Sequence, residues 1–320
     1  MQSISAIVLV AVAAATSYAL SIAYRAVWNR RRPDSTPTGF GGLLALYMLA
    51  AAALAGAPAL VIAACGVVAA AAAVYWLDDA AGLPVRLRFA IQFGAGVAIG
   101  CLVLYPIYGP TAPLLGLSIA AGGLNIVLTN IVNFYDGADL NLATLMGLGA
   151  ICGLLFAARD PLLVATAVML LAFVVPFAWV NRKPRSLYLG DSGSLAFACL
   201  LTVAAMRYLA SNGDIHPLIA APLALPAMDV AFVFLLRIAR REDLLSRNFH
   251  HLYQRLQAEK PGFAYLIPQF VSVALIMGMA AVLGLFGLHR FWAAAAAMAG
   301  VTPVLYLLSR RLFLRSPWLG

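Results

Sequence analysis

Apolar runs of bilayer length recur along the 320-residue chain and dictate what it can fold into. Counted at the length needed to cross a hydrocarbon core, about eleven fall at roughly 4–24, 41–56, 58–77, 89–106, 113–134, 141–158, 161–180, 193–210, 217–237, 264–287 and 290–308. Composition agrees: 64% of residues are hydrophobic, 10% are charged and the mean hydropathy is +0.94. In lipid every backbone polar group must find an internal partner, so such a chain is all-α, a polytopic membrane protein of about 11 transmembrane helices. No internal repeat, linker or soluble domain is visible, and residues 1–320 read as a single transmembrane domain. Cys65, Cys101, Cys152 and Cys199 lie inside apolar runs without metal-ligand spacing and read as small buried side chains.

Orientation follows from charge. The first run lacks a basic leader and is followed by Arg30, Arg31 and Arg32, which makes it an anchor with its N-terminus outside. Alternating from there leaves only Arg159, Arg207 and Arg290 on the outer face; the other 18 of the 21 Lys and Arg residues are cytoplasmic, as is the C-terminus. This bias accounts for the net charge of +9 without nucleic acid as a partner. Asp78, Asp79, Asp136, Asp139, Asp191, His250 and His251 fall on the same cytoplasmic face, whereas Asp160 and Asp214 are external. Asp229 lies inside the ninth run, where an ionisable group is costly and faces a partner or a cavity.

Five cytoplasmic loops, near 30–42, 78–88, 130–141, 181–194 and 238–262, therefore converge as a candidate active site. Each has a plainer explanation when taken alone. Thr36 to Gly42 is also turn chemistry, Asp78-Asp79 a solvated helix end, and Gly190-Asp191-Ser192-Gly193-Ser194 a helix cap. GDSG also surrounds serine-protease nucleophiles, but those enzymes need a soluble barrel. Asn130, Asn133 and Asp136, at steps of three, share one helix face, as interhelical hydrogen-bonding residues would. Arg247, His251 and Arg255, at steps of four, form a basic stripe if helical, suited to a pyrophosphate or to anionic lipid. A lone acid at a helix start beside a basic loop suits Mg²⁺ and the phosphates it carries.

Taken in order, Asp78-Asp79, Asn130-x-x-Asn133-x-x-Asp136-Gly-x-Asp139, Gly190-Asp191-Ser-Gly-Ser and His251-Leu-Tyr-Gln-Arg255-Leu resemble the polyprenyl-phosphate N-acetylhexosamine-1-phosphate transferases, glycosyltransferase family 4. Pro37-Thr38 to Gly42 resembles their PT…GG element. The resemblance covers roughly residues 30 to 256 and is nearest to members that initiate O-antigen and related lipopolysaccharide polymers. It implies transfer of a sugar 1-phosphate from a UDP-N-acetylhexosamine to undecaprenyl phosphate, with release of UMP, in a bacterial cytoplasmic membrane. It also implies Mg²⁺, with Mn²⁺ as an alternative, held by Asp191 with Asn133 as a second ligand. Asp78 and Asp79 match the pair assigned to the lipid-phosphate nucleophile, and His251 with Arg255 the loop that contacts sugar and pyrophosphate. Asp139 sits where uracil is recognised, and Tyr188 where an aromatic ring stacks on that base. Arg86 and Arg88 match basic residues after the paired aspartates, and Asn130, Asp136 and His250 join the substrate-binding set. Membrane lipids are implied partners, and a homodimer is compatible.

Three departures stand out. Asp139 is followed by Leu140-Asn141-Leu142 where the family usually has Gly-Leu. Phe40 stands where many members have Arg. The HHH-Phe-Glu run of lipid I synthases is missing, which argues against a muramyl-pentapeptide donor, the alternative substrate class. A transporter for an anionic substrate is the alternative of another class, but it would bring charge to mid-bilayer and often shows repeated halves.

Overall fold

The computed structural model describes residues 2–156, 160–183, 186–213, 217–243, 250–259 and 262–314. Arg159, Arg185, Asp214, Arg247, Lys260 and Arg315, which enter the charge assignment or the basic stripe above, lie outside the described residues.

The expected all-α architecture holds. Among the described residues nine helices are long and apolar enough to span a membrane, and the apolar segments Phe40–Leu54 and Asn141–Phe156 are shorter. Together they correspond to the eleven runs read from the sequence. The chain is a multi-pass membrane protein, divided into two compact units, 1–215 and 216–320.

The first unit contains α1 (Gln2–Arg31), α2 (Leu44–Leu54), α3 (Ala59–Ala81), α4 (Val85–Tyr108), α5 (Ala112–Tyr135), α6 (Asn141–Phe156), α7 (Pro161–Asn181) and α8 (Gly190–Asn212). Helix α8 is its axis. It packs on α3, α4 and α5 and on the short 3₁₀ turn Phe40–Leu43, and it is the most buried span, 67% against 50% for the next. A helix apolar on every side belongs in the middle of a bundle. Phe40 is 1% exposed and stacks on Phe173 and Phe177, with ring centres 5.6 and 5.8 Å away. Phe40 is thus an apolar anchor for the turn.

Alternation of the chain brings the C-terminal ends of α3, α5 and α7 beside the N-terminal ends of α4 and α8. The second unit contains α9 (Ala221–Ala239), α10 (Leu252–Glu259), α11 (Ile267–Leu285) and α12 (Arg290–Phe313). In it, α11 and α12 pack on one another and on α9.

Candidate active site

The N-terminus of α8 leaves backbone N–H groups without intrahelical partners, and its own N-cap residue, Leu189, supplies no side-chain acceptor. Other helices supply them. Asp79 accepts from the amides of Asp191 (2.9 Å) and Ser192 (3.2 Å), one on each carboxylate oxygen. Asp136, at the end of α5, accepts from the Gly190 amide at 2.6 Å. Two carboxylates thereby face the positive end of the α8 dipole, where negative charge is favoured. Burial pushes the Asp136 carboxyl well above its ordinary range; Asp191 and Asp79 push it further, while the Gly190 amide pulls it down.

Asp191 projects from the first turn of α8 beside this clamp. Its Oδ1 accepts from the Asn133 carboxamide at 2.9 Å and its Oδ2 from Arg88 at 3.1 Å. Arg88 also grips Asp78 with two nitrogens, Nε at 2.8 Å and Nη2 at 3.1 Å. Asp78 in addition accepts from the Leu83 amide, closing the turn between α3 and α4. Asp78 and Asp191 thus share the Arg88 guanidinium while Asp79 and Asp136 hold the α8 amides beside it, and Asp191 keeps 28% of its side chain exposed while that of Asp78 is fully covered.

The loops beneath are locked backbone to backbone. Gly190 has φ +77°, and a Cβ there would lie 2.5 Å from the Gly39 nitrogen and 2.6 Å from Thr38 Oγ1. A Cβ on Gly41 would lie 2.2 Å from the Gly193 Cα. The Gly41 amide donates to the Leu189 carbonyl at 2.9 Å, and the Tyr188 amide to the Pro37 carbonyl at 2.8 Å. The PT…GG segment and the Gly-Asp-Ser-Gly segment therefore form one unit that only glycine permits.

The remaining expected residues divide. Asn130 turns to α4, donating to Gln92 Oε1 at 3.3 Å, and Gln92 continues through Tyr75 to the Arg88 carbonyl. The common face of Asn130, Asn133 and Asp136 therefore meets two neighbours, α4 and α8. Asp139 is buried, Tyr188 is half-buried, and Arg86 is exposed on the first turn of α4 and joins none of these contacts. Leu140 adopts φ +61°, the left-handed conformation that favours glycine, and its amide donates to Asn181 Oδ1 at 2.5 Å. Asn181 also donates to the Leu187 carbonyl at 2.6 Å, joining the two loops. Motif reading missed Asn181; its signal was an asparagine closing an apolar run directly before the basic loop.

In the second unit His251 directly precedes α10, and its carbonyl accepts from the Arg255 amide at 3.1 Å. The four-residue spacing of this pair is helical from that point. Arg255 Nη2 lies 3.8 Å from Glu259, and His250 Nε2 lies 3.7 Å from Glu242. Burial lowers the His250 pKa, as do the charges of Arg240, Arg237 and Arg255, against the raising effect of Glu242.

No three described His, Cys, Asp or Glu side chains form a preformed metal cage. Mg²⁺ needs no such cage, since it takes one or two carboxylates and keeps water and phosphate as its other ligands. Asp191 would hold it, with Asn133 presenting its carboxamide oxygen after an amide turn.

Residues 59–209 match the profile of the family described as glycosyl transferase family 4. A probable undecaprenyl-phosphate N-acetylglucosaminyl 1-phosphate transferase of Bacillus subtilis is 24% identical over 193 residues, 57% of this chain and 54% of that protein. A putative glycosyltransferase of Streptomyces coelicolor is 31% identical over 298 residues, 88% of this chain and 70% of its own. A phospho-N-acetylmuramoyl-pentapeptide-transferase of Rubrobacter xylanophilus is 27% identical over 154 residues, 45% of this chain and 46% of its own. The chain thus spans about half the length of the first and third of these relatives.

Proposed function

Because the chain belongs to glycosyl transferase family 4, we propose that it transfers an N-acetylhexosamine 1-phosphate from a UDP-sugar to undecaprenyl phosphate. The products are an undecaprenyl-pyrophosphoryl sugar and UMP, and the reaction would start a cell-envelope polysaccharide such as O-antigen. The observation that carries this reading is the convergence at the N-terminus of α8 of Asp79 and Asp136, which hold its first amides, with Asp78 and Asp191, which share Arg88. The strong bias of cations to one side supports a cytoplasmic site in a bacterial inner membrane, where both an anionic lipid head and a nucleotide sugar are available.

In the reaction a lipid-phosphate oxygen forms a bond to the β-phosphorus while the bond to the bridging oxygen of UMP breaks. In-line placement and charge neutralisation account for most of the catalysis in such transfers. Bound at Asp191 and Asn133, Mg²⁺ would supply charge neutralisation for the diphosphate. Arg88 holds Asp191 and Asp78 in register, and family resemblance gives His251 and Arg255 the sugar and pyrophosphate. A phosphate monoester has its second pKa near ~6 and is largely ionised at neutral pH, so the nucleophile needs no strong base. Both oxygens of Asp79 accept backbone amides, which suits it to hold Asp191 in place rather than to remove a proton. Asp79→Asn should therefore lower turnover while the pH–rate profile keeps its acidic limb; loss of that limb would restore a base role.

The decisive assay follows UMP release from purified protein with undecaprenyl phosphate, Mg²⁺ and UDP-linked GlcNAc, GalNAc, QuiNAc and FucNAc, beside an Asp191→Ala control. UDP-MurNAc-pentapeptide belongs in the panel because the Rubrobacter relative carries the phospho-N-acetylmuramoyl-pentapeptide-transferase name. Release that needs lipid phosphate and Mg²⁺ and disappears in the control supports the proposal and ranks the donors. No release with any donor from folded protein would overturn it, and uptake of an anionic substrate would be assayed next.

A further inference from the structure

Asp229 is fully buried within α9, yet its carboxylate is surrounded by donors. Its Oδ1 accepts from the Tyr306 hydroxyl at 2.8 Å and from the Leu252 amide at 2.9 Å. Its Oδ2 lies 3.1 Å from the same amide and 3.3 Å from His251 Nδ1. Arg310, 1% exposed, donates to the Tyr306 hydroxyl at 2.9 Å and to the His250 carbonyl at 3.2 Å. Its guanidinium lies 4.9 Å from the centre of the Phe232 ring. An acid and an arginine buried between spans are costly unless paired and hydrogen-bonded, and here a tyrosine hydroxyl links the two.

What this network holds is more informative than its presence. Apart from the Tyr306 hydroxyl, which they share, and the Phe232 ring, these contacts of Asp229 and Arg310 fall on three consecutive residues: the His250 carbonyl, the His251 ring and the Leu252 amide. Helices α9 and α12 thus grip one tripeptide from two sides. The Leu252 amide opens α10, so Asp229 caps that helix from outside the segment. In its ionised form Asp229 only accepts, and the His251 proton facing it then sits on Nδ1 with Nε2 pointing away.

We infer that Asp229 is the positioning residue for His251, with Tyr306 and Arg310 completing the clamp. It fixes the tautomer and ring direction of the histidine and the start of the helix that carries Arg255. This inference rests on the proposed transferase reading for the chemistry that His251 serves; the orientation itself stands on the contacts alone.

Two measurements separate these levels. The chain has four histidines, so ¹⁵N spectra of histidine-labelled protein in nanodiscs, compared with His251→Ala, identify the His251 signal. The wild type should show the Nδ1-protonated tautomer, and Asp229→Asn should shift or average it. An unchanged tautomer would overturn the inference. In the UMP-release assay Asp229→Asn should lower kcat by about 10–100-fold, the scale for a residue that orients a functional histidine, with the KM for undecaprenyl phosphate unchanged. In a His251→Ala background the same substitution should cost less than about twofold, because it acts through a ring no longer there. Losses that multiply, a normal kcat for Asp229→Asn, or no loss in His251→Ala would each overturn it. Tyr306→Phe, which removes one hydroxyl, gives a smaller loss with the same non-additivity and carries the cycle if Asp229→Asn does not fold. Absence of UMP release from the wild type would instead overturn the transferase reading and leave the spectra to decide the orientation.

Discussion

The two ends of α8 use the same chemical groups to opposite effect. Past its C-terminal half, Asp160 is 6% exposed and caps α7, accepting from the amides of Leu162 and Leu163, while its second oxygen accepts from Arg207 at 2.7 Å and Ser211 at 2.8 Å. One carboxylate meets one guanidinium and the charge balances. At the N-terminal end, Asp78 and Asp191 share Arg88 while Asp79 and Asp136 accept from the first amides of α8. Both ends cap helices, so capping alone does not mark a functional site. The difference lies in the balance: one end is complete as folded, and the other carries negative charge that a cation and a substrate phosphate with its counter-ion can use.

The sharpest way to break this contrast is to remove one acid from each end. Asp191→Ala should lower UMP release on the order of 10²–10³-fold, the scale for losing one preorganised charge-stabilising group, with little change in thermal stability. Asp160→Ala should do the reverse, keeping kcat and lowering stability by about 1–3 kcal/mol, because it removes a cap and leaves the Arg207 and Ser211 partners unmet. Thermal unfolding and UMP release measured on the same samples decide the matter. A stability loss in the first variant equal to that in the second would make the two ends equivalent. A smaller effect sharpens the comparison further. Mg²⁺ at tenfold its Kd should stabilise the wild type by about 1.4 kcal/mol and leave Asp191→Ala unmoved; equal shifts in both would put the cation elsewhere.

Much of this was legible in the sequence, and the limits have identifiable causes. Hydrophobic run length gave the eleven apolar segments, and motif order gave the acids that meet at α8. What the chain did not reveal is which acid does what. Asp78 and Asp79 read as a pair, but successive residues on a helix point about 100° apart, so one faces Arg88 on α4 and the other the amides of α8. Periodicity placed Asn130 with Asn133, yet a helix face can meet two neighbours, and Asn130 meets Gln92. Arg310 counted as one more interfacial cation, whereas it is 1% exposed because Tyr306, one turn earlier, and the His250 carbonyl receive it. Each miss involves a partner on another element, Arg88, the α8 amides, Gln92 or the His250 carbonyl, which local pattern does not encode.

The last prediction tests whether the charge-rich end also stores backbone strain that matters. Leu140 holds φ +61° beside Asp139, at a cost of roughly 1–2 kcal/mol for a residue with a Cβ. Its amide is held by Asn181 Oδ1, so the surrounding structure imposes the conformation. Leu140→Gly relieves that cost but gives back about 0.5–1 kcal/mol through the greater freedom of the unfolded chain. The net expectation is a gain of about 0.5 kcal/mol in thermal or denaturant unfolding, with kcat unchanged. If kcat falls while stability rises, the strained turn contributes to substrate placement through Asp139, and the charge-rich end differs from the Asp160 end in geometry as well as in charge.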